Sequence, residues 1–269
     1  MRSILLHVDN DDCLEARFQA ALDLARAFEG HLTCAQPIPY GVAASGDFYG
    51  TMAAELLTVL EDNADKFRTR VEARLGNEDI PWTWVQKLDA PEHLLLTHAA
   101  LSDLIVLGAR DPNGGNGASS LAGSIAIHAL TPVLVVPEGP GGFDVSVPAV
   151  VAWNGSIEAS HALRAAVPLL KRAASVVLLT IEEPRTRGYD LPAVEGAEYL
   201  SRHGIECEMV ERAPLDDSIE EGLLHAIETH RAGYLVMGAY GHSRLSEVVL
   251  GGSTRSLLEG PPVPLFLCH

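Results

Sequence analysis

Ser3-Ile4-Leu5-Leu6-His7-Val8-Asp9 and Ala149-Val150-Val151-Ala152-Trp153-Asn154 are two instances of one pattern, a short aliphatic run ending in an acid or a side-chain amide. Each is followed by an amphipathic helical pattern, Glu15 to Phe28 and Glu158 to Ala173. A second apolar run comes next, Leu32 to Gln36 and Val176 to Ile181. Further along, Asp103-Leu104-Ile105-Val106-Leu107-Gly108-Ala109 matches Gly233-Tyr234-Leu235-Val236-Met237-Gly238-Ala239. The copies close on Pro132 to Val136 and Pro264 to Cys268, and third strands are expected at Pro81 to Leu88 and Ile205 to Glu211. Continuous apolar strands alternating with amphipathic helices specify a parallel sheet covered on both faces. Right-handed crossovers wind each copy into a Rossmann-like unit. The expected fold is α/β, two tandem doubly wound five-stranded parallel-sheet domains, 1–140 and 141–269. Pro137-Glu138-Gly139-Pro140-Gly141-Gly142-Phe143 divides them, because its Pro and Gly residues break helix and strand.

Composition narrows the function. The 269 residues carry 19 Lys+Arg and 36 Asp+Glu, a formal charge of −17. Residues 1–140 hold 9 basic and 19 acidic side chains, and 141–269 hold 10 and 17, so the acidity is spread over the chain as solvated surface. That balance argues against nucleic acid and anionic membranes as partners, since both require basic surface. No apolar run reaches the ~18–20 residues of a membrane span. The opening segment lacks the h-region and cleavage site of a signal peptide, so a cytoplasmic location is expected. Cys13, Cys34, Cys207 and Cys268 show no C-x-x-C or zinc-ribbon spacing and read as free thiols. Cys34, Cys207 and Cys268 are expected to be small core residues.

Ligands of open α/β sheets bind at the carboxyl ends of the strands, near a topological switch point. In the second copy those ends are Asn154-Gly155-Ser156, Ile181-Glu182-Glu183 and Gly238-Ala239-Tyr240-Gly241-His242-Ser243-Arg244. Nine residues after Gly241 comes Gly251-Gly252-Ser253-Thr254, which opens a helical pattern. Glycines let backbone approach a ligand closely. The successive N–H groups of Gly251 to Thr254 can form an anion nest strengthened by the helix start, and Ser253 and Thr254 add hydroxyls. This is a phosphate site built mainly from backbone. The alternative reading of the same glycines is structural, turning the chain and starting the helix. With a charge of −17 the protein repels polyphosphate at long range, so a divalent cation is expected with the ligand.

On these residues the chain resembles a tandem universal stress protein, with two copies covering nearly its whole length. The resemblance implies an adenine nucleotide alpha hydrolase-like fold and the motif Gly-x-x-Gly-x9-Gly followed by Ser or Thr. Gly238, Gly241 and Gly251 match that motif, while Gly252 replaces the Ser or Thr and removes one hydroxyl contact. Asn154 stands where the family has an acid that reads the adenine and ribose end, and an amide can still bond a base edge. Ile181 matches the aliphatic adenine-side position, and Ser253 and Thr254 match the triphosphate contacts.

The first copy departs further. Asp9 and Gly108 are kept, but Asp111 replaces the second glycine and would put a negative charge where phosphate would sit. Pro37 takes the adenine-side position, and Pro112 to Gly117 reads as a mobile inserted loop. The connection to Gly123-Ser124, taken as the helix-start pair, is two residues too long. This copy is expected to bind nucleotide weakly or not at all. The resemblance also implies dimerisation through final strands, which a tandem chain can satisfy internally as a pseudo-dimer, Pro132 to Val136 against Pro264 to Leu267, with further self-association open.

Other chemistries fit less well. There is no P-loop motif. Gly241-His242-Ser243-Arg244-Leu245 lacks the last glycine of a nucleophile elbow. The pairs His93/His98 and His225/His230 are five apart, so no metal site is expected. His242 reads either as a phosphate contact when protonated or as an exposed loop residue, and Arg244 either faces phosphate or pairs with Glu247. Trp82 and Trp84 alternate along a strand and are expected to fill a sheet face. No catalytic residue is assigned. The expected function is a stress-response sensor or regulator binding ATP, or AMP or ADP in its place, with Mg²⁺ in the second half, and with partner proteins the sequence does not name. Any hydrolysis would be slow and incidental. Two alternatives stand beside it, a nucleotide-independent interaction module and a small-molecule or lipid carrier using Tyr40 to Gly50.

Overall fold

The computed structural model describes all residues except 40–49, 112–116, 140–141, 183–190, 216–217 and 240–251. The first half runs β1 (Ser3–His7), α1 (Leu14–Phe28), β2 (His31–Ile38), α2 (Gly50–Leu75), β3 (Trp82–Leu88), α3 (Pro91–Ala99), β4 (Leu104–Gly108), α4 (Ser120–His128) and β5 (Val133–Val136). The second runs β6 (Ala149–Ala152), α5 (Ile157–Leu170), β7 (Val176–Ile181), α6 (Ala193–Arg202), β8 (Glu208–Arg212), α7 (Ile219–His230), β9 (Tyr234–Gly238), α8 (Gly252–Glu259) and β10 (Leu265–Cys268). The strand-and-helix alternation is the one the apolar runs predict. The loop expected to serve a carrier, Tyr40 to Gly50, lies outside the described residues except for Gly50, which opens α2.

The ten strands form one sheet in the order β3-β2-β1-β4-β5-β10-β9-β6-β7-β8. Pairing within each half is parallel. The two halves meet at a single antiparallel pair, with Leu265 opposite Val135, Phe266 opposite Leu134 and Leu267 opposite Val133. This is the internal strand pairing expected of a tandem chain. It covers both inner edges with strands that are buried throughout. The outer edge strand β8 carries Glu208, Glu211 and Arg212, charges that discourage further edge-to-edge pairing.

Strand alternation sends side chains to two faces. Ile4, Leu6 and Val8 belong to one continuous core that also holds Phe18 and Leu22 of α1, Phe67 and Val71 of α2, Ala162 and Leu169 of α5, and Leu200 of α6. Leu5 faces the other way, into a second core that also holds Leu94 and Leu95 of α3, Ile125 of α4, Ile227 of α7 and Leu257 of α8. Both cores run through the seam without a break. Further links cross it. The amide of Phe143 donates to Asp23 Oδ2 at 3.0 Å. The rings of Phe143 and Tyr234 lie 5.3 Å apart, and the Arg172 guanidinium sits 4.9 Å from the Phe28 ring centre.

Three local expectations change. Ile205 does not open a strand. Gly204 takes a left-handed φ of 73°, the Ile205 amide donates to Leu200 O at 3.0 Å, and Ile205 buries its side chain against the helix it ends. The strand therefore starts at Glu208. Helix α5 stops at Leu170, where the bonding tightens to three-residue turns, the Arg172 amide donating to Leu169 O at 2.9 Å and the Ala173 amide to Leu170 O at 3.3 Å. Cys207 is only half-buried, whereas Cys13, Cys34 and Cys268 are buried, and all four are free thiols. Trp82 and Trp84 do pack against the first core, and the Trp84 indole donates to Gln36 Oε1 at 3.1 Å. Among the described residues no helix is long and apolar enough to cross a membrane.

The seam should be a principal determinant of stability. Phe266 is fully buried there, so Phe266→Ala is expected to cost about 3–5 kcal/mol in chemical denaturation. Leu101→Ala, at a site 90% exposed, should stay within about 0.5 kcal/mol of the parent.

Candidate functional site

In each half the strand order reverses between the first and fourth strands, β1/β4 and β6/β9, so a crevice forms at their carboxyl ends. In the second half Asn154 follows β6 and is exposed. Its Oδ1 accepts from the Ser156 amide at 3.1 Å, and Ser156 Oγ caps α5 by accepting from the Ala159 amide at 3.1 Å. Among the described residues the Asn154 amide nitrogen has no partner, which leaves its N–H donors for a ligand. Gly155 has φ 79°, and a Cβ there would lie 2.2 Å from Leu191 O. Leu191 is tied over it by its amide to Gly155 O, at 3.0 Å, and by the Trp153 indole at 3.3 Å.

Ile181 ends β7 but turns inward. It is buried in the second core, and a Cβ on Gly222 of α7 would come within 2.7 Å of its Cδ1. Gly238 ends β9 against the first turn of α5, where a Cβ would sit 2.6 Å from the Ala159 nitrogen. Packing therefore accounts for this glycine by itself. Gly241, His242, Arg244 and Gly251 lie outside the described residues. Gly252, Ser253 and Thr254 form the first turn of α8, as the sequence predicts, and Thr254 is buried. Sequence reasoning missed two histidines beside this segment. The His269 ring donates from Nδ1 to Ala239 O at 2.9 Å, and the His161 ring donates to His269 O at 3.1 Å. Nothing in the local pattern signals them, because the contacts join α5, the end of β9 and the residue after β10, which are distant in sequence.

The first half fills its crevice with its own side chains. Arg17 is buried, and its guanidinium donates to His7 O at 2.8 Å, Asp9 O at 3.0 Å and Asp11 Oδ1 at 2.6 Å. Asp9 Oδ1 accepts from the Asn10 amide at 2.7 Å, and burial pushes the Asp9 carboxyl above its ordinary range. Gly108 is required here too, since a Cβ would meet Cys13 Cβ at 2.6 Å. His7 is buried, and burial with the nearby Arg17 charge lowers its imidazole to about 3.

Gly123 and Ser124 are not the helix start. They lie inside α4, which begins at Ser120, and the Gly123 amide already donates to Ser119 O at 3.0 Å. Ser120 follows Gly108 by 12 positions, whereas Gly252 follows Gly238 by 14, so this connection is shorter and not longer. Ser124 instead bonds Glu92 of α3, and Ser256 of α8 bonds Glu220 of α7 in the same way. The repeat thus preserves a hydroxyl–carboxylate tie between its last two helices. Asp111, in turn, lies at the start of α4. Ser119 and Ser120 donate their hydroxyls to it at 2.7 and 2.6 Å, and the Ser120 and Leu121 amides donate at 3.0 and 3.2 Å. Burial works against its charge, but these hydrogen bonds hold the Asp111 carboxyl below its ordinary range.

The sequence profile described as the universal stress protein family matches residues 1–137 and again 148–269. The chain belongs to the universal stress protein family. No curated protein matches it. Among solved structures it is similar to a universal stress protein from Archaeoglobus fulgidus DSM 4304, at 16% identity and TM-score 0.71, covering 99% of this chain and 96% of that one. It is also similar to a putative universal stress protein from Pseudomonas aeruginosa UCBPP-PA14, at 16% identity and TM-score 0.55, covering 100% and 93%. These likenesses extend over both halves and establish the tandem fold. Among the described residues no group of three or more His, Cys, Asp or Glu side chains is placed to hold a metal ion.

The buried His7 sets a sign for acid sensitivity. Unfolded, its ring takes up a proton near 6.5, whereas folded it stays neutral down to about 3. The unfolded chain binds more protons between those values, so stability falls as pH drops through that window, by up to about 1.4 kcal/mol per pH unit. His7→Gln should flatten this slope in urea unfolding measured between about pH 6 and pH 4.

Proposed function

We propose that this universal stress protein binds ATP, or AMP or ADP in its place, in the second half and acts as a cytoplasmic stress-response sensor or regulator. One comparison carries the reading. Both halves start a helix at the carboxyl end of a fourth strand, but where the first half has Asp111 the second has Gly241. The amides that open α8, with Ser253 and Thr254, offer donors and a partial positive charge to phosphate oxygens. Asn154 offers amide hydrogens toward a base or ribose. Gly252 supplies a backbone donor in place of the family's hydroxyl residue. The acidic chain needs Mg²⁺ to screen a triphosphate, and the ion would travel with the ligand.

Binding at this end of the sheet would alter a surface that partner proteins meet. The described crevice presents no general base beside a nucleophile, so we read the chain as a binding protein with at most slow, incidental ATP hydrolysis. A second reading has its own observation. Gly238 is explained by its contact with α5 alone, which suits a nucleotide-independent interaction module. Isothermal titration with ATP and Mg²⁺ separates the two. Micromolar binding by the parent, lost in a folded Gly241→Asp, Gly251→Val variant, is the expected result. A folded parent that takes up no nucleotide, and carries none through purification, leaves the interaction module.

A further inference from the structure

Strand β3 ends the sheet on the side of the first half, and no residue of it is fully buried. Its ladder with β2 fixes which of its backbone groups are used. Leu32 faces Trp82, the Leu32 amide donates to Pro81 O at 3.0 Å, and the Asp89 amide donates to Ile38 O at 3.2 Å. In a parallel ladder these bonds commit Thr83, Val85 and Lys87 to β2 and turn the N–H and C=O groups of Trp82, Trp84, Gln86 and Leu88 outward. Among the described residues no hydrogen bond reaches those outward groups. An open row of this kind is a template for another strand. Charge decides which strand fits. The chain carries 36 Asp+Glu, and the opposite outer edge, β8, holds Glu208 and Glu211. From Pro81 to Leu88 there is no acid. The one charge on β3, Lys87, is matched within its own chain, with Nζ 2.9 Å from Asp89 Oδ2. Two copies of this acidic chain can therefore meet along β3 without opposing like charges.

We propose that the chain forms a two-fold dimer by antiparallel pairing of β3 with β3 of a second copy. This repeats at the outer edge the mode in which β5 and β10 already join the halves. An axis at Val85 uses every outward group. Trp82 then exchanges both its bonds with Leu88 of the second copy, and Trp84 with Gln86. The side chains agree with this register. On one face Trp82, which packs against the first core, meets Leu88, an apolar side chain 39% exposed in the single chain. On the other face Val85, which packs against the second core, meets its own copy, and Thr83 meets Lys87. Both core layers and the sheet continue from one chain into the next. Pairing through a strand edge buries little area, so the dimer is weak and reversible. It does not depend on nucleotide.

The test is sedimentation velocity of the full chain from micromolar to millimolar concentration, with amide hydrogen exchange measured at both ends of that range. A reversible monomer–dimer equilibrium is expected. The Trp84, Gln86 and Leu88 amides should exchange more slowly as the chain is concentrated, while Thr83, Val85 and Lys87 stay protected throughout. Thr83 is exposed, so its side chain can be changed with the fold intact. Thr83→Glu places a carboxylate opposite Lys87 twice in each dimer and should tighten association about threefold or more. Thr83→Lys opposes two like charges and should weaken it by a similar factor. A parent that stays monomeric at millimolar concentration overturns the proposal. So does a dimer in which the Trp84, Gln86 and Leu88 amides exchange at one rate throughout. A dimer whose affinity does not move in opposite directions in the two Thr83 variants overturns it too, because it is then held by another surface.

Discussion

The antiparallel pairing of Val133–Val136 with Leu265–Cys268 is the contact on which the rest of the molecule depends. A five-stranded parallel sheet of this order leaves its fifth strand at an edge, with unpaired backbone groups and two apolar faces. Pairing the two fifth strands satisfies the backbone and joins two small cores into two continuous layers. Phe266 and Leu134, opposite one another across the seam, are fully buried. The chain connecting the halves then needs only to return along the sheet, and Phe143 anchors it through Asp23 and Tyr234.

From that sheet the same crevice is built twice and used differently. In both copies a glycine ends the fourth strand because the first helix comes too close for a Cβ. In both, a Ser–Glu tie holds the last helix to the one before it. The divergence lies in what meets the helix start. The first half meets it with a carboxylate and fills the space below with Arg17, Asp11 and a neutral His7. In sequence the second half has Gly241 where the first has Asp111, and it carries an amide, Asn154, after its first strand.

Strands were legible because a strand buried on both faces reads as an unbroken aliphatic run, and Val176–Ile181 ends where the pattern ends. The seam was legible through the family resemblance, which implies pairing of final strands and so points to the two proline-led terminal runs. Where the reading slipped, side-chain alternatives decided the outcome. Ile205 is as apolar as a strand residue but serves to lock the end of α6 behind Gly204. Gly123 drew attention as a glycine, yet the helix starts at Ser120, because Ser119 and Asp111 supply the cap. Capping by an acid eight residues upstream leaves no local signature. His161 and His269 were silent for the same reason, since their meeting is fixed by how α5 packs beside the end of β10 and not by spacing.

The direction of the seam has one more consequence. Every strand of the first half runs opposite to every strand of the second, so the carboxyl ends of β1–β5 and of β6–β10 emerge at opposite rims of the sheet. The molecule is therefore polar along its strands, with the Asp111-filled crevice at one rim and the Asn154 crevice at the other. A macromolecule seated over one rim leaves the other uncovered.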